Sequence, residues 1–401
     1  MRPQNVRETY MAPPLKIALI LPDNRDEFRR YADPLPHFGT APEALLEGLA
    51  ALPECEIHVV CCVQQRVAVP EKIGPNIFYH TELVPKLGWL RGAYLGCIRS
   101  VRRQLRKIQP DIVHGQGTER YGALTASLSG LPNVLTIHGN MKAIAEVYRA
   151  PVGSFVWLAA RLENFTLRRT AGVFCNSAYT QNLVSPRTPR TWRVANALRL
   201  AFFSPLPESV SSAVPVLLNI GVAEPRKQQL ELLALAHRLH QRGCRFEMQF
   251  AGTLTGHSAY LAAFTRELAR AEKAGYARHL GKLSTVELVA AMDAASALVH
   301  FPIEEAFGLV VAEALARNLK FFGAATGGVV DIAQGVEGAE LIESHNFAAL
   351  ETAIAQWLRA GCPRPLNAAP IMRQRYHPEV IARRHLEIYR EVLAETARKL
   401  R

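Results

Sequence analysis

The sequence predicts an α/β protein with two doubly wound, mostly parallel sheets that face each other across a cleft. Short apolar runs alternate with longer amphipathic ones, which is the pattern of strands and covering helices. A stretch rich in Ser and Pro interrupts this alternation near residues 202–214, and the alternation then restarts. The 401 residues are also long for a single hydrophobic core, so we expect two domains.

The first half of the chain supplies the first sheet. Its predicted strands are short apolar runs, at residues 16–21, 57–63, 76–79, 111–114, 134–138, 172–176 and 192–194. Its predicted helices have apolar residues at helical spacing, at residues 41–51, 90–108, 121–128, 153–169 and 179–183. We assign residues 1–200 to this domain.

The second half repeats the pattern. Its predicted strands are residues 216–220, 247–251, 279–280, 297–301, 320–324 and 341–342. Its predicted helices are residues 228–242, 258–274, 285–293, 309–317 and 346–359, followed by a long terminal helix at 377–400. We assign residues 201–385 to this domain and expect residues 386–401 to cross back to the first. Ligands of such sheets bind beyond the carboxyl ends of the strands.

Composition narrows the class of protein. Apolar residues make up 49% and charged residues 20%, as in ordinary globular proteins. The seven cysteines are odd in number and none has CxxC spacing, which favours reduced thiols over disulfides or a zinc site. No apolar signal core opens the chain and no apolar run reaches membrane-spanning length, so we expect a cytoplasmic protein.

The net charge of +12 indicates a partner that carries negative charge. Basic residues are concentrated in the predicted helix 90–108, on the face opposite an apolar stripe. Two interpretations remain open: a helix that touches an anionic membrane surface, or a solvated helix packed on the sheet. No nucleic-acid-binding motif is present, so we do not expect a nucleic acid partner.

The segment 297–317 carries the clearest chemical signal. An apolar run is followed by a turn with Glu305 and then by a helix that contains Glu313. Eight helical residues span roughly 12 Å, too far for two carboxylates that act on one bond. The spacing suits the two ends of a long ligand, with a diphosphate over the helix N-terminus, where backbone N–H groups favour anions. The alternative is that Glu305 only caps the helix and Glu313 only lies on a solvent-exposed face, which would give the same spacing without a ligand.

These features resemble the retaining GT-B glycosyltransferases of family four, also called glycosyltransferase group 1. The resemblance covers roughly residues 16–389 and implies two Rossmann-like domains. It is carried by Glu-Ala-Phe-Gly-Leu-Val-Val-Ala-Glu at 305–313, Thr-Gly-Gly at 326–328, Thr-Ile-His-Gly at 136–139, Asn-Ser-Ala-Tyr at 176–179, Asn-Ala at 196–197 and Glu-Pro-Arg-Lys at 224–227.

The resemblance implies a role for each matching residue. Lys227 and Arg226 would clamp the diphosphate of a sugar nucleotide, and Glu305 would bind the transferred sugar. His138 would donate a hydrogen bond to the sugar or to the acceptor. Glu313 would bind the ribose. The backbone N–H groups of Gly308, Leu309 and Val310 would bind the anionic diphosphate. Gly39 and Gly221 would let the backbone approach the ligand closely.

One departure from the family pattern concerns the loop after the first strand of the second domain. The family commonly has Arg after the glycine of this loop, whereas Gly221 is followed by Val222. Either Arg226 supplies the missing charge or phosphate binding rests on Lys227 alone.

We therefore expect a glycosyltransferase that needs neither a metal nor a cofactor. Its donor would be a nucleoside-diphosphate sugar, and its acceptor a hydroxyl of a glycan, a lipid-linked or a small molecule, in cell-envelope or polysaccharide synthesis such as that of lipopolysaccharide. A sugar-nucleotide epimerase on the same scaffold is one alternative, and a non-catalytic sugar-nucleotide-binding protein is another. The sequence leaves the base, sugar and acceptor open.

Overall fold

A computed structural model describes residues 13–206, 214–256 and 258–399. Two sheets organise these residues, one of eight strands and one of six. All strand pairs are parallel except the antiparallel pair at the edge of the first sheet, and helices cover both sheets. The predicted α/β fold class with two parallel-sheet, Rossmann-like domains is confirmed.

The first sheet has the strand order β3-β4-β2-β1-β5-β6-β7-β8. Its strands are β1 (Leu15–Ile20), β2 (Cys55–Val63), β3 (Lys72–Gly74), β4 (Ile77–Leu83), β5 (Ile112–Gln116), β6 (Asn133–Ile137), β7 (Val173–Cys175) and β8 (Thr191–Arg193). The associated helices are α1 (Arg25–Phe28), α2 (Thr40–Ala50), α3 (Leu95–Ile108), α4 (Tyr121–Ser127), α5 (Met141–Val147), α6 (Phe155–Leu167) and α7 (Ala178–Val184). The central strands are buried on both faces, which explains their nearly continuous apolar sequences.

The second sheet has the strand order β11-β10-β9-β12-β13-β14. Its strands are β9 (Val216–Ile220), β10 (Glu247–Ala251), β11 (Ala277–Gly281), β12 (Ala297–His300), β13 (Lys320–Ala324) and β14 (Ala339–Ile342). The helices that follow in this half are α8 (Gln229–Gln241), α9 (Ala259–Lys273), α10 (Thr285–Ala294), α11 (Leu309–Ala316), α12 (Val329–Ala333), α13 (Phe347–Arg359), α14 (Ala368–Tyr376) and α15 (Pro378–Lys399).

The terminal helix α15 lies against the first sheet rather than the second. It packs on α2, and its Tyr389 hydroxyl bonds to His114 Nδ1 at 2.6 Å. A separate helix, α14, precedes it, and the break at His377 fits the restriction that Pro378 places on the residue before it. The start of α15 therefore agrees with the predicted terminal helix to within one residue.

The predicted helix 90–108 is wrong at its first turn. A short 3₁₀ turn occupies Leu90–Gly92, left-handed backbone follows at Ala93 and Tyr94, and α3 begins only at Leu95. The chain folds back here because Gly96 approaches the backbone of Gly88 so closely that a Cβ would lie 2.6 Å from its Cα.

The apolar stripe of α3 packs in the core of the first domain, while its basic residues stay exposed. The helix is therefore packed on the domain through its apolar stripe, which leaves its basic face as the surface that could contact a membrane. Within the described residues, no helix is long and apolar enough to cross a bilayer.

Candidate active site

A cavity of about 380 Å³ lies between the carboxyl ends of the two sheets. Its lining comes from both halves of the chain, chiefly from the loops that follow β1, β5, β6 and β12. Loops at the carboxyl ends of parallel strands form the binding crevice of doubly wound sheets. The topology therefore brings segments far apart in sequence into one candidate site.

The turn that carries Glu305 joins β12 to α11 and is fixed by two glycines. Gly328 donates its backbone N–H to the Glu305 carbonyl at 3.0 Å. A Cβ at Gly327, whose φ is 52°, would lie 1.8 Å from the same carbonyl oxygen, and a Cβ at Gly328 would lie 2.6 Å from the Ala306 oxygen. Only glycines allow this approach, which explains the Gly-Gly pair noted in the sequence.

Glu305 is held by two basic side chains. Its Oε2 lies 2.5 Å from Lys227 Nζ and 3.2 Å from Nε2 of His300, the last residue of β12. Burial alone would raise the pKa of Glu305, but Lys227 and His300 outweigh burial and hold that pKa well below its usual range. The carboxylate is thus ionised, and Lys227 and Glu305 both line the cavity.

The N-terminus of α11 opens onto the same cavity. Gly308 caps this helix in a left-handed conformation with φ 97°, and Gly308, Leu309 and Val310 line the cavity. The backbone N–H groups of Leu309 and Val310 have no acceptor among the described residues. Free N–H groups at a helix start form a site for an anion.

Arg226 is adjacent to Lys227 in sequence, but its side chain is hydrogen-bonded to groups outside the cavity. Its guanidinium bonds to Glu224 at 2.8 Å and to the Glu304 carbonyl at 2.9 Å, and it is not among the residues that line the cavity. Gly221 lies behind Lys227, where a Cβ would be 3.9 Å from the lysine chain. The structure therefore brings Lys227 to the cavity without Arg226.

Glu313 lies inside α11, about one helical turn after its first residue, and is almost fully buried, with 2% exposure. Its Oε1 pairs with the Arg199 guanidinium at 3.3 Å, and Arg199 also donates to the Thr285 hydroxyl at 2.6 Å. Burial raises the pKa of Glu313 to about 7, and Arg199 offsets only part of that rise. Glu313 does not line the cavity in this structure.

His138 faces the cavity from the first domain, at the end of β6. Its Nε2 lies 3.0 Å from Gln116 Oε1, and burial lowers the pKa of His138 to about 4, with a small opposing effect of Asn196. The imidazole is therefore neutral at physiological pH. Gly39 lines the cavity beside it as the N-cap of α2.

Two other polar residues in this part of the chain are structural. His114 is fully buried between Tyr389 and the Thr136 hydroxyl, at 2.6 and 2.7 Å. Glu163 is also buried, where it accepts hydrogen bonds from Thr118 and from the Met141 backbone and pairs with Arg187; these contacts fix the loops after β5 and β6.

Gln116 and Glu119 are among the cavity-lining residues of the first domain that the sequence prediction missed. Both belong to the end of β5 or the loop that follows it. A polar residue just after the carboxyl end of a buried strand is the signal that could have found them.

The two domains contact each other beside the cavity. The Ser177 hydroxyl donates to the Ala306 carbonyl at 2.6 Å, and the Ala178 backbone N–H donates to Asp331 Oδ2 at the same distance. Ser177 and Ala178 begin α7 in the first domain, whereas Ala306 is the neighbour of Glu305. The position of the Glu305 turn thus depends on both domains.

Comparison with known protein families gives two matches that adjoin along the chain. Residues 42–194 match the model described as Glycosyltransferase Family 4, and residues 208–375 match the model described as Glycosyl transferases group 1. Together the two models cover about four fifths of the chain. The comparison with curated proteins found no match.

Solved structures with the same fold extend over nearly the whole chain. Sucrose-phosphate synthase (tll1590) from Thermosynechococcus elongatus has a TM-score of 0.74 at 18% identity, over 95% of this chain and 100% of its own. Alr3699/HepE of Anabaena in complex with UDP-glucose has a TM-score of 0.67 at 17% identity, over 96% and 100%. The lipopolysaccharide outer core galactosyltransferase WaaB has a TM-score of 0.62 at 15% identity, over 92% and 97%.

At these identities the solved structures show the fold alone, and the two family models supply the assignment. The chain therefore belongs to the group 1 glycosyltransferases of GT-B fold.

Proposed function

We propose that the chain transfers a sugar, with retention of anomeric configuration, from a nucleoside-diphosphate sugar to an acceptor hydroxyl. The observation that carries the proposal is the convergence of Lys227, Glu305 and the open N-terminus of α11 on one cavity between the domains. HepE, which shares the fold, has been crystallised with UDP-glucose. A cation beside a helix start is suited to a diphosphate that gains negative charge as it leaves.

In the proposed complex the diphosphate lies over Leu309 and Val310 and takes Lys227 Nζ as a partner. Phosphate binding then rests on Lys227 rather than on Arg226, because Glu224 and Glu304 already occupy the Arg226 guanidinium. Lys227 and the helix start together neutralise the leaving group, so we propose that turnover needs neither a metal nor another cofactor.

The proposed reaction breaks the bond between the anomeric carbon and the phosphate oxygen and forms a bond from that carbon to the acceptor oxygen. The acceptor attacks from the face that the phosphate leaves, and its proton passes to the departing phosphate. Glu305 stabilises positive charge at the anomeric centre and binds sugar hydroxyls. Its low pKa favours this electrostatic role over attack as a nucleophile, since a carboxylate held by Lys227 and His300 is a weak nucleophile.

Glu313 is proposed to bind the ribose hydroxyls. Its carboxylate is buried against Arg199, so nucleotide binding would require Arg199 to move or share that contact. His138 is proposed to contact the sugar or the acceptor as a neutral imidazole, since burial keeps its pKa near 4.

A thermal-shift screen against UDP-, GDP-, ADP- and CDP-sugars in the presence of EDTA tests this proposal. A ligand that binds only the folded state raises the melting temperature by mass action. We expect one nucleotide class to raise it in EDTA and Lys227→Ala to abolish the shift. If no nucleotide shifts the native protein, or if the shift survives in Lys227→Ala, the proposed donor site is wrong.

We also propose that the acceptor is met at an anionic membrane surface, on the cytoplasmic face of the inner membrane, during envelope glycan synthesis. The exposed face of α3 carries Arg99, Arg102, Arg103, Arg106 and Lys107, and Leu87 and Leu95 are exposed nearby in the chain. Cationic side chains beside exposed apolar ones suit anionic head groups. WaaB, which has the same fold, is a lipopolysaccharide outer core galactosyltransferase.

Vesicle sedimentation tests the membrane contact separately from the chemistry. We expect binding to vesicles that contain phosphatidylglycerol, no binding to pure phosphatidylcholine, and loss of binding in Arg99→Glu/Lys107→Glu. Equal binding of the native protein to both vesicle types would refute the membrane proposal and leave the donor site untouched.

A further inference from the structure

The part of the cavity that the first domain lines, which we call the acceptor half, contains a carboxylate that the proposed mechanism does not use. Glu119 follows β5 and lines the cavity from the first domain, whereas Lys227 and Glu305 line it from the second. Its Oε1 accepts a hydrogen bond from the Gly139 backbone N–H at 2.9 Å. No Lys, Arg or His side chain forms an ion pair with it among the residues that the structure describes.

Two glycines make room for this carboxylate. A Cβ at Gly117, whose φ is 79°, would lie 2.4 Å from Glu119 Oε2, and a Cβ at Gly139 would lie 3.3 Å from Oε1. The carboxylate thus rests against bare backbone next to His138, with its position set by the loops after β5 and β6. Contacts with the backbone of these loops therefore fix the position of the carboxylate.

Among the described residues, the acceptor half of the cavity is lined by no positively charged side chain of the first domain, although the protein has a net charge of +12. The neighbouring Arg120 pairs with Glu27, and His138 is neutral because burial lowers its pKa. No Lys or Arg of the first domain is among the described residues that line the cavity; Lys227 comes from the second domain, on the donor side. Burial raises the pKa of Glu119, and backbone N–H groups and Arg120 offset part of that rise.

We infer that Glu119 binds a hydroxyl or amino group of the acceptor and restricts the reacting end of the acceptor to a neutral or amino sugar, against a phosphorylated one. This inference rests on the proposed function. A partly buried carboxylate without a cation gains from a hydroxyl or ammonium donor and repels a phosphate. Glu119 accepts the hydrogen bond from a group beside the reacting hydroxyl, whose own proton goes to the departing phosphate.

Donor hydrolysis gives a test that does not need the natural acceptor. When no acceptor is present, water takes its place and the donor sugar is released free. A sugar bound in the acceptor site lowers this release, because it either excludes water or accepts the glycosyl group itself. The probes are glucose, glucosamine and glucose 6-phosphate, which share one ring and differ in charge. The donor is the one identified by the thermal-shift screen.

We expect glucose or glucosamine to lower hydrolysis at concentrations roughly tenfold below those needed of glucose 6-phosphate. In Glu119→Gln this preference should shrink by about tenfold, because the carboxylate acceptor and its repulsion of phosphate are both lost. Glu71→Gln is the matched control: it removes an exposed first-domain carboxylate that lies outside the cavity lining and forms no ion pair among the described residues, and it should keep the native preference.

Three results would overturn the inference: glucose 6-phosphate acting as the strongest competitor of the native protein, an unchanged preference in Glu119→Gln, or no effect of glucose and glucosamine. Donor-induced thermal shifts of Glu119→Gln and the native protein should agree, which shows that the variant is folded and binds donor. Failure of the proposed function looks different, because the native protein would then neither bind nor consume any donor.

Discussion

At the scale of single residues, the site depends on which hydrogen-bond or ion-pair partner each charged side chain has. Lys227 and Arg226 are adjacent in sequence, yet Lys227 reaches the cavity while Arg226 is tied to Glu224 and to the Glu304 carbonyl. Both side chains project from one 3₁₀ turn but reach different partners, and their sequence positions alone do not predict which partner each one reaches. The sequence could identify the basic pair, but only packing decides which member can meet a phosphate.

Replacing Lys227 and Arg226 one at a time should show which of the two binds the diphosphate and which supports the local structure. Lys227→Ala should weaken nucleoside-diphosphate binding by roughly a hundredfold, since it removes a charge-assisted contact and leaves Glu305 with only His300 as a partner. Arg226→Ala, the matched control, should change binding much less. Isothermal titration with the nucleotide from the thermal-shift screen measures both, and equal losses in the two variants would contradict the assignment.

The buried carboxyl of Glu313 should make stability depend on pH. Its pKa is about 7 in the folded protein and about 4.5 when unfolded, so the folded state holds the proton more tightly. The stability that this provides is complete below about pH 4.5 and is lost as pH rises to about 7, a change of about 3 kcal/mol.

In Glu313→Gln that loss should disappear, so the melting temperature should depend less steeply on pH than in the native protein over this range. Thermal unfolding of both proteins across the pH series measures the slopes. Parallel curves would show that Glu313 does not carry the shifted proton. Comparing slopes rather than absolute values separates this effect from the lost partner of Arg199.

At the scale of elements, strands were predicted well because burial on both faces leaves long apolar runs in the sequence. The predicted strand 216–220 and the observed β9 coincide, as do 320–324 and β13. Errors occur where a tertiary contact overrides local preference. The helix expected from residue 90 starts at Leu95 because the approach of Gly88 and Gly96 bends the chain, a contact without a periodic signal.

The glycines that support the Glu305 turn provide a test at this scale. Gly327→Ala should destabilise the protein by about 2–4 kcal/mol, because its Cβ meets the Glu305 carbonyl in addition to the left-handed strain. Gly335→Ala is the control, since φ there is 69° and no atom lies within 4 Å of the added Cβ, so about 1 kcal/mol is expected.

Urea unfolding measures both variants. The Gly327 variant should also lose donor affinity, because the Glu305 turn must move to accept the new methyl group. If the two variants were equally stable, close approach at Gly327 would not be what fixes the turn.

At the scale of the whole molecule, the site exists only because two domains meet. Ser177 and the start of α7 hold the Ala306 carbonyl and Asp331 across the domain boundary. The sequence predicts the two sheets and the family motifs, but it gives no sign that these particular residues join the domains. Glu119 could have been found from its place after β5, but its contact with Gly139, which lies in another loop, has no sequence signal.

Loss of this contact should open the molecule. Ser177→Ala combined with Asp331→Ala should increase the radius of gyration of the ligand-free protein in small-angle scattering and raise the KM for donor several-fold, since closure assembles such sites. Ser185→Ala is the matched control, because its hydroxyl bonds within the first domain, to Gln181 and Thr191. An unchanged radius and KM in the double variant would rule out a role of this contact in closure.

The central claim is that the cavity between the domains activates a nucleotide sugar for transfer with retention. Real-time proton NMR of the protein with the selected donor in EDTA tests it most directly, because water can serve as acceptor. We predict that the anomeric signal of the nucleotide sugar decays and that the first free sugar has the anomeric configuration of the donor before mutarotation. First appearance of the opposite anomer, or no consumption of any of the four nucleotide classes, would contradict the account.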